Sequence, residues 1–189
     1  MIVERLQISE IVLIRPDRHE DERGFFSETY SRRALAEAVL DTDFVQDNHS
    51  LSVTQGTLRG LHFQAPPAAQ AKLVRVVRGA IFDVTVDIRA GSPSYGRHVI
   101  CRLSAQEWNQ LYVPVGFAHG FCTLEPDTEV IYKVSDYFAP EHDRGLLWND
   151  PALAIDWPVS EPLLSEKDRT HPPLGALPEY FSYKPIVNG

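Results

Sequence analysis

The segment Phe82-Asp-Val-Thr-Val-Asp-Ile-Arg89 alternates apolar and polar residues without a break, and this period of two predicts a β-strand with two unlike faces. Runs rich in Val, Ile, Leu, Phe and Tyr recur near residues 11–15, 44–46, 58–63, 72–78, 97–103, 110–115, 117–123 and 128–135, most of them bounded by Gly, Pro, Ser, Asn or Asp. Strands spaced in this way predict a sandwich or barrel. A helical pattern is clear only over Ser31–Val39, where Ser31 can cap the free amides and good helix formers follow. No repeat of fixed period or low-complexity linker divides the chain, and the Pro-rich stretches at 65–67 and 172–173 read as loop punctuation. The last fifteen residues have no clear period and are expected to drape over the barrel or a partner.

At 189 residues the chain is long enough to bury a core without disulfides or metal, and we expect a single domain over 1–189. A hydrophobic share of 43% beside 23% charged residues is the balance of a globular protein. The net charge of −8 argues against a nucleic-acid or anionic membrane surface, so an anionic ligand must meet a local cluster of Arg and Lys. Charges at Glu4, Arg5 and Glu10 break the N-terminal apolar run well short of a signal peptide or membrane helix, which predicts a cytoplasmic protein. Cys101 and Cys122 lack CxxC spacing and read as small hydrophobes without chemistry.

Four residues in predicted strands can carry chemistry: His62 in LRGLHFQ, Lys72 in KLVRVV, His119 in VPVGFAHGF and Tyr132 in EVIYKV. In a jelly roll, side chains of one parity from several strands point into a shared cavity. Arg59 and His62 are three apart and would diverge in a regular strand, so if both serve one ligand Gly60 must mark a bulge or kink. His62 and His119 with a carboxylate could hold iron, manganese or zinc, but the absence of an HxH or HxxxH pair disfavours it. No GxSxG elbow is present, and neither Cys lies in an electropositive motif. Asp21–Glu28 reads as a solvated turn leading into a strand, and the Asx-rich Gln46–Ser50 as a turn.

In this order, DERGFFSE, FVQDNHS, LRGLHFQ, AKLVRVVRG, PVGFAHGF, IYKVSDYF and LLSEKD resemble the dTDP-4-dehydrorhamnose 3,5-epimerases, nucleotide-sugar epimerases of the cupin superfamily, across roughly residues 3–169. The resemblance implies a mainly β, cupin-like double-stranded β-helix or jelly-roll barrel with one or two short helices, a homodimer, and an isomerase that needs no cofactor or metal. It implies epimerisation of dTDP-4-dehydro-6-deoxy-D-glucose at carbons 3 and 5 to dTDP-4-dehydro-L-rhamnose. The alternative within the family is a monoepimerase acting at one of these carbons; a sugar-binding cupin without catalysis and a metal-dependent cupin are the rivals outside it. By the same resemblance His62 is the general base, Asp168 its partner, Tyr132 the acid on the other face and Lys72 the cation beside the ketone oxygen. Arg23, Glu28, Gln46, Asp47, Asn48, Arg59, His119, Asp143 and Lys167 are implied to line the nucleotide-sugar site, with Tyr137-Phe138 placed to stack on thymine. Two positions depart from the expected pattern: Phe138 stands where many members have Tyr, and Asp143 where Glu is expected.

Overall fold

A computed structural model describes residues 1–38 and 42–184. Fifteen strands are present among the described residues: β1 (Ile2–Arg5), β2 (Val12–Arg15), β3 (His19–Asp21), β4 (Gly24–Phe26), β5 (Gln46–Ser52), β6 (Leu58–Gln64), β7 (Lys72–Arg78), β8 (Ala80–Asp87), β9 (Arg89–Ala90), β10 (His98–Ser104), β11 (Gln110–Val113), β12 (Phe117–Thr123), β13 (Thr128–Val134), β14 (Asp143–Gly145) and β15 (Phe181–Ser182). One α-helix, α1 (Arg32–Ala38), precedes β5. Its start matches the cap expected from the sequence, with the amide of Ala34 donating to Ser31 Oγ at 3.4 Å; Val39 lies outside the described residues. Among the described residues, no helix is long and apolar enough to cross a membrane.

The strands form a six-stranded sheet in the order β1-β2-β11-β7-β13-β5 and a five-stranded sheet in the order β10-β8-β12-β6-β14, all antiparallel. This is the jelly-roll architecture that the strand spacing and the resemblance predict. A first apolar cluster, with Val74, Val76, Ile81, Leu103, Leu111, Phe121 and Val130, draws on both sheets and fills the space between them. A second covers the outside of the five-stranded sheet, where Leu61, Phe63, Val84 and Val86 meet Trp157, Leu177, Tyr180 and Phe181 from the C-terminal region. A third places Leu35 of α1, with Tyr30 and Phe44, over Val12, Leu73 and Tyr112 on the outside of the six-stranded sheet. Full burial of side chains such as Leu58, Leu61, Ile81 and Leu103 stabilises by about 1.5–3 kcal/mol each.

β8 is the alternating strand of the sequence, but its two faces are placed unusually. The apolar parity, Phe82, Val84 and Val86, packs outward beneath the C-terminal segment. The polar parity, Asp83, Thr85 and Asp87, is also fully buried, on the opposite side of the strand. The strand ends at Asp87 rather than at Arg89, which opens β9 and pairs in parallel with β15. Arg89 ties this end of the barrel together: its guanidinium binds Asp87 and Glu10 and lies over the rings of Phe117 and Tyr183. The C-terminal segment thus drapes over the barrel as far as Lys184, and residues 185–189 lie outside the described residues.

The two segments expected to be turns differ in structure. Asp21–Glu28 forms the exposed hairpin β3–β4, close to the expected solvated turn. Gln46–Ser50 is not a turn: the strand expected over 44–46 begins at Gln46 and continues to Ser52, paired with β13 along its whole length. A neighbouring strand satisfies the backbone that Asx side chains would otherwise compete for. Cys101 and Cys122 are free thiols whose pKa values burial raises to about 12 and about 11, which keeps them protonated.

Candidate active site

A cavity of about 240 Å³ opens between the sheets, lined by Ser50, Arg59, His62, Lys72, His119, Phe121, Tyr132, Ser165, Lys167 and Asp168. A second hollow of about 210 Å³ shares His62, Lys72, Tyr132 and Lys167 and adds Gln46, Asn48, Gln64, Phe138 and Asp143. Phe121 and Tyr132 belong to both the first cavity and the inter-sheet cluster, so the apolar core forms the floor of the site.

β6 supplies Arg59 and His62 to one cavity because its register slips by one residue against β12: His62 faces His119, yet Arg59 faces Phe121. The irregularity falls at Gly60, as expected if both side chains serve one ligand. Gly60 has a φ of +139° and a Cβ there would lie 2.5 Å from the Cα of Gly120, so only glycine fits this crossing. Arg59 then reaches back to the other sheet, donating from Nε to Ser52 Oγ at 3.1 Å and from an η nitrogen to the carbonyl of Leu51 at 3.1 Å.

His62 Nε2 lies 2.6 Å from Asp168 Oδ1. Asp168 is buried, and burial opposes its charge, but the imidazoles of His171 and His62 beside it hold its carboxyl well below the usual range. The ionised carboxylate accepts the Nε2 proton and leaves the lone pair on Nδ1. Burial lowers the pKa of His62 against the opposing pull of Asp168, so the imidazole is neutral near pH 7 and free to accept a proton.

On the facing sheet, burial raises the pKa of Tyr132, which keeps the phenol protonated. Lys72 donates from Nζ to the carbonyl of His62 at 3.2 Å and so bridges the sheets. Burial lowers its pKa to about 8, with Asp83 and Asp143 opposing the shift. His119 Nε2 pairs with Asp83 Oδ2 at 2.8 Å, wholly inside the barrel. At the mouth, Lys167 is hydrogen-bonded to Asp143, and the amide of Phe138 donates to Gln46 Oε1 at 3.1 Å.

Four residues implied by the resemblance are not brought to the cavity: Tyr137 is exposed while its neighbour Phe138 borders the second hollow, and the others are Arg23, Glu28 and Asp47. Arg23 is exposed on the β3–β4 hairpin and paired with Asp21, and Glu28 lines a separate depression beside α1. Asp47 has the wrong parity on β5: Gln46, Asn48 and Ser50 turn inward, whereas Asp47 turns to solvent and binds Lys133 at 2.9 Å. The sequence reading missed Ser50, whose parity with Gln46 and Asn48 could have found it, and also Gln64, Phe121, Ser165, Asp83 and His171. The donor set that could hold a metal also differs from the one considered. His119 is taken up by Asp83, and the donor atoms of His62, Asp168 and His171 lie within 4.8 Å of one another.

Residues 5–176 match the family described as dTDP-4-dehydrorhamnose 3,5-epimerase. The chain belongs to this family. A dTDP-4-dehydrorhamnose 3,5-epimerase from Sinorhizobium fredii is 52% identical over 184 residues, 97% of this chain and 94% of the relative. The crystal structure of dTDP-6-deoxy-D-glucose-3,5-epimerase from Legionella pneumophila, in complex with dTDP-4-keto-L-rhamnose, superposes with a TM-score of 0.93 at 41% identity, covering 97% of this chain and 99% of that one. A dTDP-4-dehydrorhamnose 3,5-epimerase from Bacillus anthracis with TDP and pyrophosphate bound has a TM-score of 0.89 at 49% identity, covering 91% and 98%. Like these relatives, the chain is an epimerase, an isomerase of the nucleotide-sugar class.

Proposed function

We propose that this epimerase converts dTDP-4-dehydro-6-deoxy-D-glucose to dTDP-4-dehydro-L-rhamnose by inverting carbons 3 and 5. Both carbons flank the carbonyl at carbon 4, so removal of either proton gives an enolate on the same oxygen, and one electrophile serves both steps. His62 Nδ1 takes the proton while Nε2–H stays on Asp168, whose charge offsets the imidazolium that forms. The ammonium of Lys72 stabilises the enolate oxygen, and Tyr132 returns a proton to the opposite face. The observation that carries this reading is the origin of the two groups: His62 comes from the five-stranded sheet and Tyr132 from the six-stranded sheet, and both line one cavity.

Arg59 and Lys167 are the cations placed for the diphosphate, Arg59 through its two-pronged guanidinium, and Phe138 offers its face to thymine. The base, the acid and the electrophile are all protein side chains, which supports a reaction without metal or organic cofactor. We further propose a cytoplasmic homodimer. The exposed Phe25 and Phe26 of the β3–β4 hairpin and the exposed Leu51 and Val53 at the β5 end support it. A second copy docked there would bring the partner's Arg23 and the partner's Glu28 toward the cavity mouth. Size-exclusion chromatography with light scattering should give twice the chain mass, and a monomer at micromolar concentration would remove the dimer.

The test of the reaction is turnover in deuterated water with NMR of the product. Deuterium at both carbons with both centres inverted is the expected result. Inversion of one centre only would make the protein a monoepimerase, and no exchange would overturn the reading altogether.

A further inference from the structure

His171 is not used by the proposed reaction, yet the chain holds it in the site. After the turn in which the amide of Thr170 donates to the carbonyl of Lys167 at 3.1 Å, the segment is drawn along β14 by the bond from the amide of Leu147 to the carbonyl of Pro172 at 2.9 Å. The ring then occupies the space over Gly145: a Cβ at that position would lie 2.2–2.4 Å from three atoms of the His171 ring. Gly145 is the register partner of His62. His171 therefore meets the edge of the His62 ring, with centroids 5.6 Å apart and planes at 80°.

Only 10% of the His171 side chain is exposed, and its Nε2 is buried with no hydrogen-bond partner, 3.7 Å from Asp168 Oδ1. A buried imidazole nitrogen left unpaired is costly unless something else occupies its lone pair. Three donors, two imidazole nitrogens and a carboxylate oxygen, thus converge within 4.8 Å. Tetrahedral zinc with bonds of about 2.0–2.2 Å holds such donors about 3.3 Å apart. Asp168 stands 2.6 Å from His62 and 3.7 Å from His171, and with all three donors inside 4.8 Å the widest pair must close by at most about 1.5 Å through side-chain rotation to reach that spacing.

We propose that His62, Asp168 and His171 form an inhibitory site for a zinc-class divalent ion, which arrests the epimerase by capturing its base. Coordination takes the Nε2 lone pair of His62. In a neutral imidazole the proton then resides on Nδ1, the nitrogen that must accept the sugar's proton. The proton formerly shared with Asp168 moves to Nδ1 through solvent, so none is lost and no redox change occurs. The ion sits behind the imidazole, away from the sugar, so inhibition lowers kcat and leaves nucleotide affinity unchanged. The inhibition rests on His62 as the base; the binding does not.

The test uses chelator-stripped, buffer-exchanged protein titrated with ZnCl₂, read by calorimetry and by deuterium exchange into product. Wild type should bind one zinc per chain at this site, lose turnover in parallel and recover it with EDTA, while calorimetry with dTDP gives the same affinity throughout. His171→Phe keeps the ring stack but removes the ligand, and should weaken zinc binding by at least the ~10–100-fold seen for loss of an outer-shell partner, its zinc sensitivity being read against its own zinc-free turnover. Because a variant can fail to fold, Co²⁺ is added to wild type as well: visible d–d absorption that zinc quenches is expected. Absence of both zinc heat and cobalt absorption, or equal zinc sensitivity in a folded His171→Phe, would overturn the site. Zinc that binds but activates would overturn the inhibition. Protein that binds zinc at these ligands but never exchanges deuterium would leave the site standing and the proposed reaction refuted.

Discussion

Replacing Asp168 by Asn changes charge with almost no change in shape, and so isolates what the carboxylate does for His62. The wild-type contact is 2.6 Å long and its carboxylate is 5% exposed, so water cannot take over the missing charge. A hydrogen bond to a charged group is worth about 1.5–3 kcal/mol, or roughly 10–150-fold in rate at 1.4 kcal/mol per decade. A second loss follows from the tautomer. If the Asn amide donates to Nε2, the ring proton is held on Nδ1, and the base is gone from the face that meets the sugar. The total should approach the ~10²–10⁴-fold contributed by general acid–base catalysis. A separate signature comes from pH: burial lowers the pKa of His62 and Asp168 opposes that shift, so without the carboxylate the acid limb of kcat/KM moves further down. Deuterium exchange into product measures turnover, and calorimetry with dTDP measures binding, which should not change. Asp168→Asn protein that keeps more than about a tenth of wild-type kcat, or that loses dTDP affinity in proportion, would refute the dyad.

Three further outcomes are expected. The pKa of Lys72 is lowered to about 8, so its ammonium is lost as pH rises through that value and kcat should fall with it; Lys72→Arg should move this limb upward, and an unmoved limb would exclude Lys72 as its source. Gly120→Ala puts a Cβ 2.8 Å from the carbonyl oxygen of Arg59 and should cost about 1–3 kcal/mol, seen as a Tm lowered by roughly 2–12 °C with dTDP binding impaired as Arg59 and His62 lose their common aim. Arg89→Met strands the fully buried Asp87 carboxylate and should destabilise by about 3–5 kcal/mol in thermal unfolding, while dTDP binding at the far end of the barrel persists.

The strands were legible because a period of two survives any burial pattern. Which parity faces the cavity was not. On β8 the polar residues point inward only because Trp157, Tyr180 and Phe181 cover the opposite face, and these come from a segment with no period of its own. The shared aim of Arg59 and His62 was legible through Gly60, since glycine between two residues of opposite parity is the local sign of a register slip. β5 was hidden by its composition: Asp, Asn, His and Ser favour turns, and only the neighbouring β13 makes them a strand. The motif resemblance placed Arg23 and Glu28 at the nucleotide-sugar site, and a single copy of the chain keeps both away from the cavity. His171 was invisible because its place depends on Gly145, a residue twenty-six positions earlier whose missing side chain makes room for the ring.

Putting a base and an acid on two faces of a flat ring is hard for one sheet, whose inward side chains all approach from the same side. In this fold, β6 and β13 belong to different sheets, and the gap between them sets the separation of His62 from Tyr132. The bond from Lys72 Nζ to the carbonyl of His62 crosses that gap, so the cation proposed for the enolate also ties the wall carrying the proposed acid to the strand carrying the proposed base. The apolar cluster behind Phe121 and Tyr132 keeps water from the floor of the cavity, where each of these charges acts most strongly. Polar residues at interior positions therefore have a cause in the architecture: a sandwich with both outer faces covered by apolar segments can leave part of its interior polar without losing its core.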